Sequence, residues 1–311
     1  VYDGTALTKN SYTSTAPAAG DTLASVTVTG SQKDVGSSDN VARDAKLMRG
    51  DRDVTANYAI TYEKGTLAVT PLTDKVTVTI TGNTSTLTYN GAEQSVTGYK
   101  VESISNPLYT AADFAFSGTA SVTGTDADTY AMGLTAAQFR NQSANITNVE
   151  FIVTDGSLQI NPRSVKLTST TDEKVYDGQP LTRPDVTVAG DGFVAGEVSD
   201  IRATGTVTNV SDGEQSNTIV YTTSAGFKPG NYSIEKDEGT LTITPVTDKV
   251  TVTVTGNNDS VVYDGNEHSV TGYTTAIDNQ LYTVSDFTFT GEAIAKGTDA
   301  DSYQMGLNKS Q

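Results

Sequence analysis

Cysteine is absent from the sequence, which excludes disulfides, thiol nucleophiles and thiolate metal sites. It does not fix a compartment. Tryptophan is absent as well, and aromatic residues make up only 7% of the chain. There is one histidine, His268. Catalysis of the Ser-His-Asp or Cys-His kind needs that side chain in a three-residue geometry. The phrase GNEHSV around His268 matches GAEQSV around Gln94, so the position tolerates exchange and reads as surface. No apolar run approaches the roughly 20 residues that span a bilayer. No signal peptide, sorting or lipidation motif is present. Positive charge is scarce: 20 Lys and Arg against 37 Asp and Glu give a net charge of −17. That balance argues against nucleic acid and anionic membrane as partners, and its simplest role is solubility.

What is there is repetition. A Tyr-Asp/Asn-Gly turn recurs at Tyr2, Tyr89, Tyr176 and Tyr263, at a fixed interval of 87 residues. At twice that interval the match tightens. TDKVTVTITGN at Thr73–Asn83 becomes TDKVTVTVTGN at Thr247–Asn257, and GTDADTYAMGL at Gly124–Leu134 becomes GTDADSYQMGL at Gly297–Leu307. ANYAITYEKGTLAVTP at Ala56–Pro71 matches GNYSIEKDEGTLTITP at Gly230–Pro245, and VEFIVTDGSLQINP closes at Pro162. Fixed-period self-similarity marks tandem units. The order is A-B-A-B, with modules at 1–71, 72–162, 163–245 and 246–311. Each complete module ends on a strand running to a proline, which belongs at a strand end because it lacks a backbone donor. No Gly/Ser linker separates modules, so a semi-rigid, monomeric rod is expected. The first module lacks the strand that precedes the turn in the third. The fourth lacks the closing VEFIVTDGSLQINP. The chain therefore reads as an internal fragment with unpaired sheet edges at both ends.

Val, Ile or Leu at alternate places in KVTVTIT (Lys75–Thr81), SVTVTG (Ser25–Gly30) and TLAVT (Thr66–Thr70) predicts strands with one buried face. Asp-Gly, Asn-Gly, Lys-Gly and Glu-Gly pairs between them are turn signals. In Tyr-Asp-Gly the ring suits the core and Asp-Gly the reversal, glycine being the residue that adopts positive φ at little cost. TAADF (Thr110–Phe114) and TAAQFRN (Thr135–Asn141) each suit one helical turn capped by threonine. The expected fold class is all-β: four small modules in an elongated rod, each an immunoglobulin-like sandwich, with a β-grasp-like sheet and short helix as the alternative.

Two clusters bear on chemistry. Asp126 and Asp128 recur as Asp299 and Asp301 in GTDAD. Alternate carboxylates offer oxygens to calcium, though two fall short of the 6–8 required, and a solvated hairpin tip competes. Arg49-Gly50-Asp51 forms an RGD tripeptide where two strands connect, a position from which an integrin ligand could project. The third module lacks it, and Arg and Asp are ordinary turn residues.

The phrases VYDG, VTANYAITYEKGTLAVTP and GTDADTYAMGL resemble the YDG/MBG repeat modules of bacterial surface proteins, notably of Firmicutes. The resemblance covers essentially the whole chain. It implies an extracellular stalk or adhesin segment, attached to the cell wall through other parts of the protein, with no catalytic residues to carry over. Some surface-protein domains carry Lys–Asn isopeptide bonds. Asn57 and Asn231 occupy matched places, although no lysine is fixed opposite them by sequence. Asn145-Ile-Thr and Asn231-Tyr-Ser are glycosylation sequons that mean little in a bacterial source. Two functions compete. The first is a mechanical spacer. The second is adhesion by the modules themselves to host glycan, mucin or matrix protein, with Tyr99, Tyr109, Tyr273 and Tyr282 as aromatic candidates. No cofactor motif and no enzyme constellation stands out.

Overall fold

The computed structural model describes residues 1–311. The fold is all-β. Strands occupy 45% of the chain and no helix reaches seven residues. The helical residues form short 3-10 turns, among them Ala111–Asp113 and Ala136–Gln138, each entered through its threonine. The β-grasp alternative therefore finds no helix to pack on a sheet. No helix is long and apolar enough to cross a membrane.

The chain packs as two compact units: Val1–Arg163 with Lys228–Ser233, and Ser164–Phe227 with Ile234–Gln311. In the first unit, Val76–Gly82 shows the alternation read from KVTVTIT, with Val76, Val78 and Ile80 at most 1% exposed. Its antiparallel neighbour is Tyr99–Ile104. Its other neighbour is Val149–Thr154, paired in parallel from Val149↔Val76 to Thr154↔Thr81. Both strands then kink and continue as a second parallel pair, Ser157–Asn161 beside Thr84–Thr88. The module from 72 to 162 is thus a small β-sandwich whose opening ribbon (Val76–Thr88) and closing ribbon (Val149–Asn161) lie side by side in the same direction. Their kinks meet at two glycines. A Cβ on Gly82 would lie 2.4 Å from the Gly156 backbone nitrogen, so neither position has room for a side chain.

The core of this module gathers Val76, Val78, Ile80, Tyr109, Phe114, Met132, Leu134, Phe139 and Ile146. The ring of Phe151, from the closing ribbon, sits 5.4 Å from Phe114 and 5.8 Å from Phe139. In the preceding module Thr22–Thr29 pairs antiparallel with the long strand Gly36–Arg49, which also pairs Gly65–Val69.

The plan recurs in the stretch 163–245, most of which belongs to the second unit. Arg163–Ser169 lies between Val186–Gly190 and Tyr232–Asp237. Asp172–Val175 then runs parallel to Thr240–Thr244. Here too the kink admits only glycine, because a Cβ on Gly239 would meet the Thr170 carbonyl carbon at 2.5 Å. Leu181, Val207, Leu241 and Ile243 form one buried cluster, and Val165, Leu167 and Ile219 are buried as well. In the stretch 246–311, Val252–Gly256 pairs only with Tyr273–Ile277, and His268–Thr271 only with Ile294–Gly297.

The recurring turn is now explained. Its Asp or Asn Oδ1 accepts the N–H two residues on, from Thr5, Ala92, Gln179 and Asn266, at 2.9 Å in every copy. The glycines Gly4, Gly91, Gly178 and Gly265 have φ between 76° and 80°, the left-handed region that side chains resist. In three copies the tyrosine N–H donates to the carbonyl just before the closing proline: Tyr2 to Thr70, Tyr89 to Asn161 and Tyr176 to Thr244, at 2.8–2.9 Å. The turn therefore pins the end of the opening ribbon to the end of the closing one. The ring expected in the core is there at Tyr89, 4% exposed, whereas Tyr263 is 62% exposed.

The glycine contact gives a direct test. Gly82→Ala is expected to cost about 1–3 kcal/mol through overpacking. Gly230→Ala, where a Cβ would meet nothing within 4 Å, should stay within about 0.5 kcal/mol of the parent. Chemical denaturation of the two variants measures both; equal stability would contradict the packing described.

Candidate functional site

The GTDAD loop at Asp126 is one of the places where charged and polar side chains from distant segments meet. Asp126 and Ala127 receive the turn Lys228–Ser233, which belongs to the first compact unit. One oxygen of Asp126 takes the Lys228 ammonium at 2.6 Å, and the other takes the Asn231 Nδ2 at 3.0 Å. The Asn231 Oδ1 in turn accepts the Ala127 N–H at 2.7 Å. Asn231 is 2% exposed, so both ends of its amide are satisfied where an unpaired group would be costly. The 3-10 turn Pro229–Asn231 presents it, with proline preset at the first position. Beside this clasp the Tyr89 and Tyr232 rings meet edge to face at 5.6 Å. The Asn231 and Lys228 hydrogen bonds hold the Asp126 carboxyl below its ordinary value of 3.8.

These contacts bear on the calcium expectation. Both Asp126 oxygens are engaged by Asn231 and Lys228, and Asp128 Oδ1 accepts the N–H of Thr129 at 2.7 Å. No third acidic or histidine side chain joins them. In the second unit Asp299 and Asp301 are exposed, and Asp301 Oδ1 takes the Ser302 N–H at 2.7 Å. The tyrosine after each loop folds back on it. The Tyr130 hydroxyl donates to the Asp126 carbonyl, and the Asp299 N–H donates to the Tyr303 hydroxyl. The same pentapeptide is thus a filled clasp in one copy and an open loop in the other.

The RGD tripeptide does sit at a hairpin tip. Gly50 and Asp51 form a two-residue turn between Gly36–Arg49 and Arg52–Asp53, with Gly50 at φ 54°. Arg49, however, is held by both oxygens of Asp21, at 2.5 and 3.1 Å. The Asp21 side chain is only 4% exposed, and it also accepts the Tyr58 hydroxyl at 2.7 Å. Arg49 and Tyr58 keep the Asp21 carboxyl below its usual range, and the bond to Asp21 pushes the Tyr58 phenol up. The arginine is therefore a brace within the first module rather than a free partner for Asp51.

Other sequence candidates acquire local uses. His268 Nε2 bonds Asp264 Oδ1 at 2.9 Å, and its counterpart Gln94 donates to the Thr88 carbonyl. Both side chains brace the Tyr-Asx-Gly turn, which is why the position tolerates exchange. The Asn266 N–H and His268 bring the Asp264 carboxyl down to about 2. Asn57 is exposed, whereas the amide atoms of Asn231 that an isopeptide would use are hydrogen-bonded as described. Asn145 spends its side chain on the Val35 N–H and Asp34, at 2.8 and 3.0 Å. Tyr109 is 2% exposed, and burial pushes its phenol up to about 12. Tyr99 packs 5.1 Å from both Phe116 and Phe139, and Tyr273 packs 4.8 Å from Phe289. These rings serve their own cores. The Asp126–Asn231 clasp is what the sequence did not reveal, since its halves lie over a hundred positions apart. The signal was there only as the matched asparagines of ANY and GNY.

Asn231→Ala should destabilise the first unit by about 1–3 kcal/mol, because it removes the two hydrogen bonds that the buried amide makes to Asp126 and Ala127. Asp126→Asn should cost stability near neutral pH. A lowered folded-state value means its contribution is present above the unfolded value of 3.8 and is lost as pH falls through the folded one. The gap between parent and Asp126→Asn melting temperatures should therefore close on acidification, while Asp299→Asn leaves the melt unchanged. Millimolar calcium should shift neither transition. For the hairpin, cells are expected not to attach to the immobilised chain above background, with no change on Asp51→Ala. Specific attachment lost in that variant would restore the integrin reading. Comparisons with protein-family models, with curated proteins and with solved structures returned no match to this chain.

Proposed function

We propose that the chain is a non-enzymatic spacer, a stalk segment of a bacterial cell-surface adhesin built from repeated modules. The observation that carries the mechanical part is the parallel pairing of opening and closing ribbons, from Val149↔Val76 to Asn161↔Thr88. A module closed this way takes the chain in at one end of the ribbon and releases it at the other. Each ribbon of that length advances the chain by about 40 Å. The Tyr-Asx-Gly turn begins at the exit end, where its amide locks the last strand. Modules of this kind need only fold and stack in series. The acidic balance suits exposure to solvent, and the surface setting rests on the resemblance to YDG/MBG modules. The adhesive alternative has less behind it, since Tyr99 and Tyr109 are packed within their module.

Small-angle scattering of the full chain tests the reading. The expected result is an elongated particle with a maximum dimension on the order of 150 Å, from four modules of about 40 Å in series. A compact globule would overturn it. A glycan array and mucin binding assay should be blank at the same concentrations.

A further inference from the structure

The Tyr-Asx-Gly turn exists in two chemical forms. Three copies carry aspartate, at Asp3, Asp177 and Asp264, and the remaining one carries asparagine, at Asn90. Asn90-Gly91 is also the one Asn-Gly pair in the sequence. Both residues are exposed. Asn90 Oδ1 accepts the Ala92 N–H at 2.9 Å, which folds the carboxamide back along the main chain beside Gly91. Two groups are left unengaged, since the Asn90 side-chain nitrogen and the Gly91 N–H make no hydrogen bond. Gly91, at φ 79°, has no Cβ to keep its nitrogen away from the Asn90 Cγ. The Ala92 N–H meets the oxygen on which negative charge develops when that carbon is attacked, at a distance suited to holding such a charge. A cation stands close by, because Arg163 Nη1 donates to the Tyr89 carbonyl at 3.1 Å.

We propose that Asn90 is a self-modification site, at which the folded turn converts its asparagine through a cyclic imide. The Gly91 nitrogen bonds to the Asn90 Cγ. The bond from Cγ to the side-chain nitrogen breaks, and that nitrogen leaves as ammonia, taking the proton that Gly91 gives up. Water then opens the imide. Addition at Cγ yields aspartate in an unchanged main chain. Addition at the Asn90 main-chain carbonyl yields isoaspartate, with the chain rerouted through the side chain. Either way a water is consumed and an ammonia released, and no electrons change hands. The sister turns show what aspartate meets. Asp3, Asp177 and Asp264 accept the N–H two residues on at the same 2.9 Å, so the turn takes aspartate without rearrangement. Isoaspartate instead inserts a carbon into the main chain directly after Tyr89, whose N–H holds the Asn161 carbonyl at 2.9 Å and whose ring is 4% exposed. That product loosens the end of the closing ribbon. The inference is independent of the spacer reading.

The test holds the full chain, folded and warm, at mildly alkaline pH and follows it by intact mass and peptide mapping. Ammonia loss with conversion to the aspartate mass should appear first in the peptide that holds Asn90. It should run roughly tenfold faster or more than at the exposed Asn57 and Asn209, which precede tyrosine and valine. A methyltransferase specific for isoaspartate should label the same peptide, and the labelled fraction should melt below the parent. Asn90→Ser, which keeps an oxygen for the turn, and Asn90→Asp should show no such conversion, and fresh Asn90→Asp should melt with the parent. A synthetic peptide of residues 86–96 gives the rate without the fold, and the folded chain should convert no more slowly. Asn90 left intact in the folded chain while the peptide converts overturns the proposal. Conversion of Asn57 or Asn209 at an equal rate, or a lowered melt for fresh Asn90→Asp, overturns it equally.

Discussion

Two kinked ribbons lying side by side, held apart by nothing larger than a pair of glycine hydrogens, are what the rest of this molecule hangs from. At Gly82 and Gly156 the backbones approach so closely that a methyl group has no place. That approach lets each ribbon pass from one layer of the sandwich to the other while staying hydrogen-bonded to its neighbour. Parallel pairing along both halves follows, and so does the direction of travel through a module. The same economy recurs at Gly239 against Thr170. Proline directly after the last strand and a tyrosine amide bonded to the last carbonyl finish each ribbon at a defined residue.

Repetition supplies identical parts, and surroundings decide what they do. Asp126 is a clasp because Lys228 and Asn231 reach it, whereas Asp299 in the same pentapeptide meets solvent. Tyr89 is sealed and Tyr263 is bare. Phe114 is buried under Phe151, while Phe287 lines a cavity. Local sequence sets the turn in every copy, down to the same Asx hydrogen bond, yet burial varies from nearly complete to nearly none. Turn chemistry is a matter of four residues. Burial depends on strands that arrive from elsewhere in the chain.

Much of the fold was legible in advance for this reason. Alternation in KVTVTIT marked the buried face of Val76–Gly82, and the two threonine-capped segments became the 3-10 turns foreseen. The RGD hairpin tip was also correctly placed, because two-residue reversals are local. The hold of Asp21 on its arginine was not legible, because Asp21 lies on a different strand connection and offers no sequence signal. At Asp126, likewise, spacing shows which oxygens are near each other, not that Lys228 and Asn231 donate to them from distant segments.

By itself the sequence determined the all-β class, the period, the turn type at each Tyr-Asx-Gly and which strand faces turn inward. Each of these depends on residues within a few positions of one another. Only the tertiary structure decided that first and last ribbons pair in parallel and that Asn231 locks onto Asp126. Those outcomes rest on contacts between segments tens to hundreds of residues apart, whose free energy is gained only when the intervening chain has folded.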